Sequence, residues 1–208
     1  MTKENLLKLI AESGYNVGYG AKKHLSTYDI VVKIPGWIAF VSLVAGIYAL
    51  FTPILNQPWI SAAFMCISIG TIFISLYSED KEKYQKVGSQ LTTKYHELRF
   101  LYQSVKSLPD NSNLEIFLDE LKQIQSYVQK INIKKQIFLS DWYAHYKFFW
   151  QSQTDWMDEQ LKFRQIRDKF PLGLIFLIAG LILFSLFNLL DFLNQYYRFC
   201  FFTNQLFR

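Results

Sequence analysis

Three long apolar blocks without a charged residue constrain the fold of this 208-residue chain more than any other feature. They occupy residues 34–51, 58–77 and 171–190. Each holds roughly 18 to 20 residues, enough at ~1.5 Å per residue to cross a hydrocarbon core of about 30 Å. Burying all three in a soluble core would leave little polar chain to cover them. The sequence therefore predicts an all-α, helical integral membrane protein with three transmembrane helices.

The basic residues next to these blocks lie at the block ends that would face the same side of a membrane. The link between the first two blocks, residues 52–57, carries no charge and predicts a tight hairpin. The basic residues lie before the first block, after the second and before the third: Lys3, Lys8, Lys22, Lys23 and Lys33; Lys81, Lys83 and Lys86; Lys162, Arg164, Arg167 and Lys169. The positive-inside rule then places the N-terminus and the middle region in the cytosol. Three crossings place the C-terminal tail outside.

The middle region keeps a seven-residue apolar repeat typical of coiled coils. Its first half carries Tyr84, Leu91, Leu98 and Val105 on one seam, with Val87, Leu101 and Leu108 on the other. A turn is expected near Pro109, followed by a capping-box start at Ser112 and Glu115. The second half carries Leu114, Leu121, Val128 and Trp142, with Phe117, Ile124, Ile131 and Phe138. We predict a long antiparallel helical hairpin whose second helix returns to the membrane near Trp142.

Four segments follow from this pattern. Residues 1–33 form an N-terminal cytosolic helical lead, 34–77 a two-helix transmembrane hairpin, 78–170 the cytosolic stalk, and 171–208 the third span with an aromatic tail. A cluster called here the aromatic belt ends the stalk: Trp142, Tyr146, Phe149, Trp150 and Trp156. Such rings suit the headgroup layer, where they would couple stalk to membrane. Packing against the N-terminal helix is an equal alternative.

Small residues four apart in the first two blocks predict close helix packing in lipid. They form four pairs: Ser42 and Gly46, Ala45 and Ala49, Cys66 and Gly70, and Thr71 and Ser75. Some of these would pack the two spans on each other, and the rest would contact a second copy in a homo-oligomer. The blocks contain no Asp, Glu, Lys, Arg or His, which argues against a proton relay or coupled transport.

No pattern of residues predicts an enzyme. The run at residues 14–22, GYNVGYGAK, lacks the Gly-Lys-Ser/Thr ending of a phosphate-binding loop. His24, His96 and His145 are far apart in sequence and lack neighbouring ligands, so neither a metal nor a cofactor is expected. The net charge is +5, but acids and bases alternate along the stalk, which argues against direct nucleic-acid binding.

Residues 15–51 resemble the SLATT family, membrane effectors of bacterial anti-phage systems. The resemblance is carried by Tyr15-Asn16, by Ala21-Lys22-Lys23-His24 and by residues 33–37, Lys-Ile-Pro-Gly-Trp, and it covers roughly residues 5–100. It implies a helical lead, a two-span hairpin and a bacterial inner-membrane location. It also implies antiviral defence by pore formation, with a nucleotide-signal synthase, a SLOG sensor or a reverse transcriptase as partner. The third span departs from the two-span pattern.

Two functions follow as hypotheses. The first is a homo-oligomeric effector whose stalk receives a signal and whose spans permeabilise the membrane. The second is a passive membrane anchor that recruits a cytosolic enzyme or a nucleic-acid complex. Membrane lipid is a partner in both.

Overall fold

A computed structural model describes residues 2–152, 154–164 and 168–187, and the described residues form helices and no strand. The helices are α1 (Lys3–Ala49), α2 (Pro58–Ser75), α3 (Lys81–Ser107), α4 (Glu115–Ile131), α5 (Ser140–Gln151) and α6 (Asp155–Leu161). A short apolar helix, α7, covers Leu172–Phe187. The all-helical prediction is thereby confirmed. The chain divides into two compact units, Met1–Phe163 and Arg164–Arg208.

Helix α1 joins the N-terminal lead to the first apolar block without a break. The Thr2 side chain caps its start by accepting a hydrogen bond from the Asn5 N–H, and Glu4 places a negative charge in its first turn. Pro35 lies inside the helix. Because proline has no N–H, the helix loses one backbone hydrogen bond at this point. The lead and the first candidate span therefore form one continuous helix, which is weakened at Pro35.

The N-terminal half of α1 is the central element of a helical bundle. It packs most extensively on α3, and it also contacts α4, α5 and α6. The core formed by these helices includes Leu6, Ile10, Leu91, Leu98, Tyr102, Val105, Leu121, Phe148 and Met157. The apolar repeat of α3 is buried as its spacing predicts. Its main partner is α1, however, whereas the sequence suggested α4.

The helix after the turn is shorter than expected. Helix α4 ends at Ile131, and residues 132–139 form an irregular connector before α5 begins. The prediction of one returning helix as far as Trp142 is therefore wrong. The capping box is also absent, because the Glu115 N–H donates to the Asn113 side chain at 3.0 Å instead. Asn113 thus stabilises the start of α4.

Two helices in the first unit are long and apolar enough to cross a membrane: α1, through its C-terminal half, and α2. They are linked by a 3-10 turn at Pro53–Asn56, as the uncharged linker predicts. None of the α2 side chains is buried. In water so much exposed apolar surface would be unfavourable, whereas lipid is a suitable solvent for it. The hairpin is thus built to lie in a bilayer.

In the second unit, α7 is apolar throughout and lies inside the third block, residues 171–190. Residues 188–208, which include the end of that block and the aromatic tail, lie outside the described part of the chain.

Candidate functional site at the base of the bundle

The bundle ends where the burial of α1 changes. Val31 is the last buried residue of the helix, at 7% exposure, and Val32 is already 44% exposed. Trp37 and most apolar side chains after it are exposed. This change marks the boundary between the part of α1 that is packed in the bundle and the exposed part that is a candidate membrane span. We call the surrounding region the base of the bundle.

The connector, residues 132–139, lies against this boundary. Two tyrosines bind its backbone: Tyr77, which follows α2, and Tyr84, which lies in the first turn of α3. The Tyr84 hydroxyl donates to the Lys135 carbonyl at 2.7 Å, and the Tyr77 hydroxyl donates to the Gln136 carbonyl at 3.4 Å. The Lys135 ammonium also lies 4.8 Å from the centre of the Tyr77 ring, a cation–π distance. The connector is therefore attached to the end of the second span.

The other side of the connector is attached to α1. The Thr27 hydroxyl donates to the Gln136 side-chain oxygen at 2.6 Å, and the Gln136 amide donates to the Ile133 carbonyl at 2.8 Å. Thr27 is fully buried. The connector is therefore bonded both to α1, seven residues before the first apolar block, and to Tyr77, the last residue of the second block.

His24 holds the start of the connector. Its Nδ1 donates to the Gly20 carbonyl at 2.7 Å, and its Nε2 accepts from the Ile133 N–H at 3.2 Å. These two contacts define a neutral ring with the proton on Nδ1. Burial lowers the pKa of His24 and outweighs the hydrogen bond to the Gly20 carbonyl, which raises it; the charge of Lys23 lowers it slightly further. The side chain is only 2% exposed, so its hydrogen bonds are shielded from water.

A partly buried ion pair joins α5 to the same part of α1. Lys147 donates a hydrogen bond to Asp29, and Lys33 contacts the other carboxylate oxygen at 2.7 Å. Burial alone would raise the pKa of Asp29, but the hydrogen bonds and charges of both lysines outweigh it and lower the pKa. The Lys147 ammonium also lies 4.1 Å from the centre of the Tyr143 ring. This cluster ties α5 to α1 just above the first span.

An apolar groove of about 520 Å³ opens below the connector, between α1 and α2. Its walls are formed by Ile30, Ile34, Ile38, Ile67, Gly70, Phe73, Ile74, Tyr77, Ile137, Phe138 and Leu139. Phe138 is 82% exposed, and Leu139 has a φ of 69°, in the left-handed region that β-carbon-bearing residues avoid. The seven-residue repeat predicted Phe138 on a helical seam, and no pattern in the sequence predicted this groove.

The small residues of the hairpin fall into two groups. Ser42, Ala45, Ala49 and Thr71 are half-buried, whereas Gly46, Cys66, Gly70 and Ser75 are exposed. A β-carbon on Gly46 or Gly70 would meet nothing within 4 Å. The described chain therefore leaves space beside these two glycines. A contact between copies through them stays a prediction.

The aromatic belt is divided by the fold. Trp156 is 4% exposed and packs against Tyr95 and Tyr102, with ring centres 5.8 and 5.2 Å away. It also fills the space beside Gly14, about 20 residues or roughly 30 Å along α1 from residue 34. The structure therefore places this indole in the bundle core against the N-terminal helix, which is the alternative that the sequence left open for the belt.

The other belt residues differ from Trp156. Phe149 is half-buried against Phe148 and Phe163, with ring centres 5.1 and 5.4 Å away. Trp142 is also half-buried, while Tyr146 and Trp150 are exposed at 53% and 68%. An interfacial role for these residues stays a prediction.

The histidines have separate surroundings. His145 lies edge-on to Tyr19, with ring centres 5.2 Å apart, and burial lowers its pKa. His96 lies edge-on to Tyr95, with ring centres 5.6 Å apart. Within the described ranges, no group of three or more His, Cys, Asp or Glu side chains has a geometry that could hold a metal ion. Residues 14–22 are helical, so they do not form a phosphate-binding loop.

Comparison with known protein families gives a match over most of the chain. Residues 1–178 match the family described as SMODS and SLOG-associating 2TM effector domain 6. The match includes the bundle, the connector and the transmembrane hairpin, together with the first residues of the third block. Neither the curated proteins nor the solved structures give a significant match.

Proposed function

The chain belongs to the SLATT family of SMODS and SLOG-associating 2TM effector domains, and on that premise we propose that it is a homo-oligomeric membrane effector of bacterial anti-phage defence. In this proposal the bundle lies in the cytosol and receives a signal from a defence partner. The hairpin then permeabilises the inner membrane. The family match supports the membrane-effector class, and the continuity of α1 supports a physical route from the bundle to the membrane.

The single observation that carries the proposal is the continuity of α1. One helix, Lys3–Ala49, is the central element of the bundle core at its N-terminal half and a candidate span at its C-terminal half. A helix transmits displacement along its axis because its hydrogen bonds are internal and local. A rearrangement of the bundle therefore has to move the first span, except where Pro35 permits bending.

The exposed surface of the hairpin supports assembly. The exposed sides of α1 and α2 carry large apolar residues, and the space beside Gly46 is unfilled. Small residues let helices of neighbouring copies approach closely in lipid, where packing drives association. Lateral rearrangement of such contacts would open a defect without any ionisable residue in the spans, which contain none.

We propose three crossings, with α7 as part of the third, and with the C-terminal tail outside the cell. Basic residues before each block support this orientation under the positive-inside rule. The partner that delivers the signal would be a nucleotide-signal synthase, a SLOG sensor or a reverse transcriptase, as is typical of the neighbourhoods of this family.

A membrane-potential dye tests the effector function. Bacteria carrying the chain with its native neighbouring genes are challenged with phage, and the dye signal is followed by single-cell fluorescence. We expect depolarisation before lysis, and none in cells that lack the chain. An unchanged potential after challenge, while the protein is present in the membrane fraction, would favour the passive-anchor alternative.

A further inference from the structure

A second pocket opens on the side of the bundle, next to the groove that contains Asp29 and Lys147. It has a volume of about 280 Å³ and lies between α1, α3 and α5. The lining residues are Gly18, Ala21, Lys22, Thr92, Tyr95, His96, Arg99, Phe148, Gln151 and Ser152. Among these residues there are a lysine, an arginine and a histidine but no carboxylate. The side chains that line the pocket therefore carry a net positive charge.

Lys22 provides a positive charge at the wall of the pocket. It is half-buried, and none of the ion pairs formed within the described ranges includes it. Burial lowers the pKa of Lys22, and the charge of the nearby Lys147 lowers it further. Lys147 already has Asp29 as its partner. A partly desolvated cation beside a second cation is unfavourable unless an anion joins them.

The opposite wall of the pocket is aromatic and rigid. Phe148 is fully buried and Tyr95 is 8% exposed. Gly18 lets both rings close on α1, since a β-carbon there would come within 2.7 Å of Tyr95 and 2.8 Å of Phe148. The Tyr95 hydroxyl accepts a hydrogen bond from the Trp156 indole at 3.2 Å, which holds the ring in place. The pocket thus combines a fixed apolar wall with a cationic side.

We propose that this pocket binds a small, soluble phosphate ester of roughly mononucleotide size, with Lys22 and Arg99 contacting the phosphate and the aromatic wall contacting the apolar part. Lysine and arginine are the side chains that bind phosphate oxygens most strongly. The volume lies near the lower end of the usual range for ligand pockets, roughly 300 to 1,000 Å³, which suits a small ligand and excludes a polymer.

The position of Lys22 favours a soluble ligand over a lipid headgroup. Twelve residues of α1 separate it from residue 34, where the first apolar block begins, and a helix rises about 18 Å over that length. A second polar groove of about 480 Å³ adjoins the pocket at Lys22 and Gln151. The proposal concerns binding alone and does not depend on membrane permeabilisation.

Binding to the full-length protein in detergent micelles tests the proposal. Inorganic phosphate, pyrophosphate and AMP are titrated by calorimetry, and the thermal unfolding temperature is followed in parallel. We expect AMP or pyrophosphate to bind and to raise that temperature. Lys22→Gln should weaken binding by about tenfold or more, the effect of losing one charge-assisted hydrogen bond. Arg99→Gln should weaken it as well.

Lys8→Gln is the matched control. Lys8 is exposed on the same helix and lies outside the pocket, so its loss removes an equal charge without changing the site. Unliganded Lys22→Gln should unfold at or above the wild-type temperature, because it removes a repelled cation. A lysine with a structural role would instead lower that temperature. No binding of the three probes to wild type, or equal weakening by Lys8→Gln and Lys22→Gln, would overturn the proposal.

Nanodiscs distinguish the source of the phosphate. Binding of AMP should be the same in zwitterionic nanodiscs and in discs that contain phosphatidylglycerol. Competition by the anionic discs that disappears in Lys22→Gln would assign the pocket to a lipid headgroup and overturn the assignment to a soluble ligand.

Discussion

The backbone N–H of Ile133 donates to Nε2 of His24 at 3.2 Å, and this contact joins the start of the connector to α1. The ring can accept this hydrogen bond only while Nε2 is unprotonated. Protonation would place two donors face to face inside a shielded site, with Lys23 adding a further positive charge nearby. The attachment of the connector is thus linked to the ionisation of one buried histidine.

We therefore predict that the connector loosens at mildly acidic pH. The pKa of His24 is lowered in the folded chain, so the unfolded chain binds its proton first as pH falls. Stability is complete above the ordinary pKa near 6.5 and decreases as pH falls towards the folded pKa. Hydrogen exchange of the Ile133 amide, corrected for its intrinsic pH dependence, should show this opening below about pH 6.5.

The local readout separates His24 from His145, whose pKa is also lowered by burial and whose environment includes Asp141. A His24→Gln variant should remove the pH dependence at Ile133 and leave that of residues near His145. Equal protection of Ile133 at pH 7 and pH 5 in the wild type would contradict the prediction.

Two glycines on α1 should respond to alanine in opposite ways. Gly18→Ala should destabilise the bundle, because its new β-carbon would overlap Tyr95 and Phe148. Gly20→Ala meets only Leu91 at 3.8 Å and should stabilise it by up to about 1 kcal/mol through helix propensity. Urea unfolding followed by tryptophan fluorescence in micelles measures both. If Gly18→Ala raised the free energy of unfolding as Gly20→Ala does, the side chains packed beside Gly18 would have to adjust freely to the added β-carbon.

Removal of Lys147 should be costly. Lys147→Met leaves Asp29 with only the exposed Lys33 as its partner, so we expect a loss of about 1 to 3 kcal/mol in the free energy of unfolding. Lys122→Met is the control, since Lys122 and Asp119 form an exposed pair on α4 and should contribute less than about 1 kcal/mol. If both variants lose equally little, the buried pair is not an anchor of α5.

Tyr84, whose hydroxyl binds the connector, should affect the coupling between the bundle and the membrane more than its contribution to stability predicts. Tyr84→Phe removes the hydroxyl that donates to Lys135, whereas Tyr102→Phe removes a buried hydroxyl that contacts Glu159 within the bundle. Each should cost about 1 kcal/mol. Only Tyr84→Phe should also alter depolarisation after phage challenge. Equal effects of the two variants on depolarisation would show that the connector transmits nothing specific.

Oligomers should depend on the open space beside Gly46. Gly46→Leu places a large side chain where the described chain leaves room, and this should hold neighbouring helices apart. Crosslinking in native membranes should show fewer high-mass species than in the wild type. Ile47→Leu, a change of shape at the next exposed position, should leave the pattern unaltered. An unchanged ladder for Gly46→Leu would place Gly46 outside any contact between copies.

The sequence by itself determined the helical class, the hairpin of residues 34–77 and the buried faces of α3. These features depend on local chemistry: uncharged length for a span, and the seven-residue spacing of Leu91 and Leu98 for a packed face. A periodic apolar face shows that a helix will be covered, but it does not identify the covering helix. The choice of α1 over α4 as the main partner of α3 was therefore decided by tertiary packing.

Contacts between residues that are distant in sequence also decided the candidate sites. Trp156 is amphipathic and suits either a bilayer surface or a core, and only the space beside Gly14 decided between them. The connector breaks the expected helix because Tyr84, Thr27 and His24 satisfy its polar groups from distant parts of the chain. The pocket at Lys22 likewise brings together residues from three helices. Such contacts between remote positions leave no periodicity in the sequence, so only the folded structure decides them.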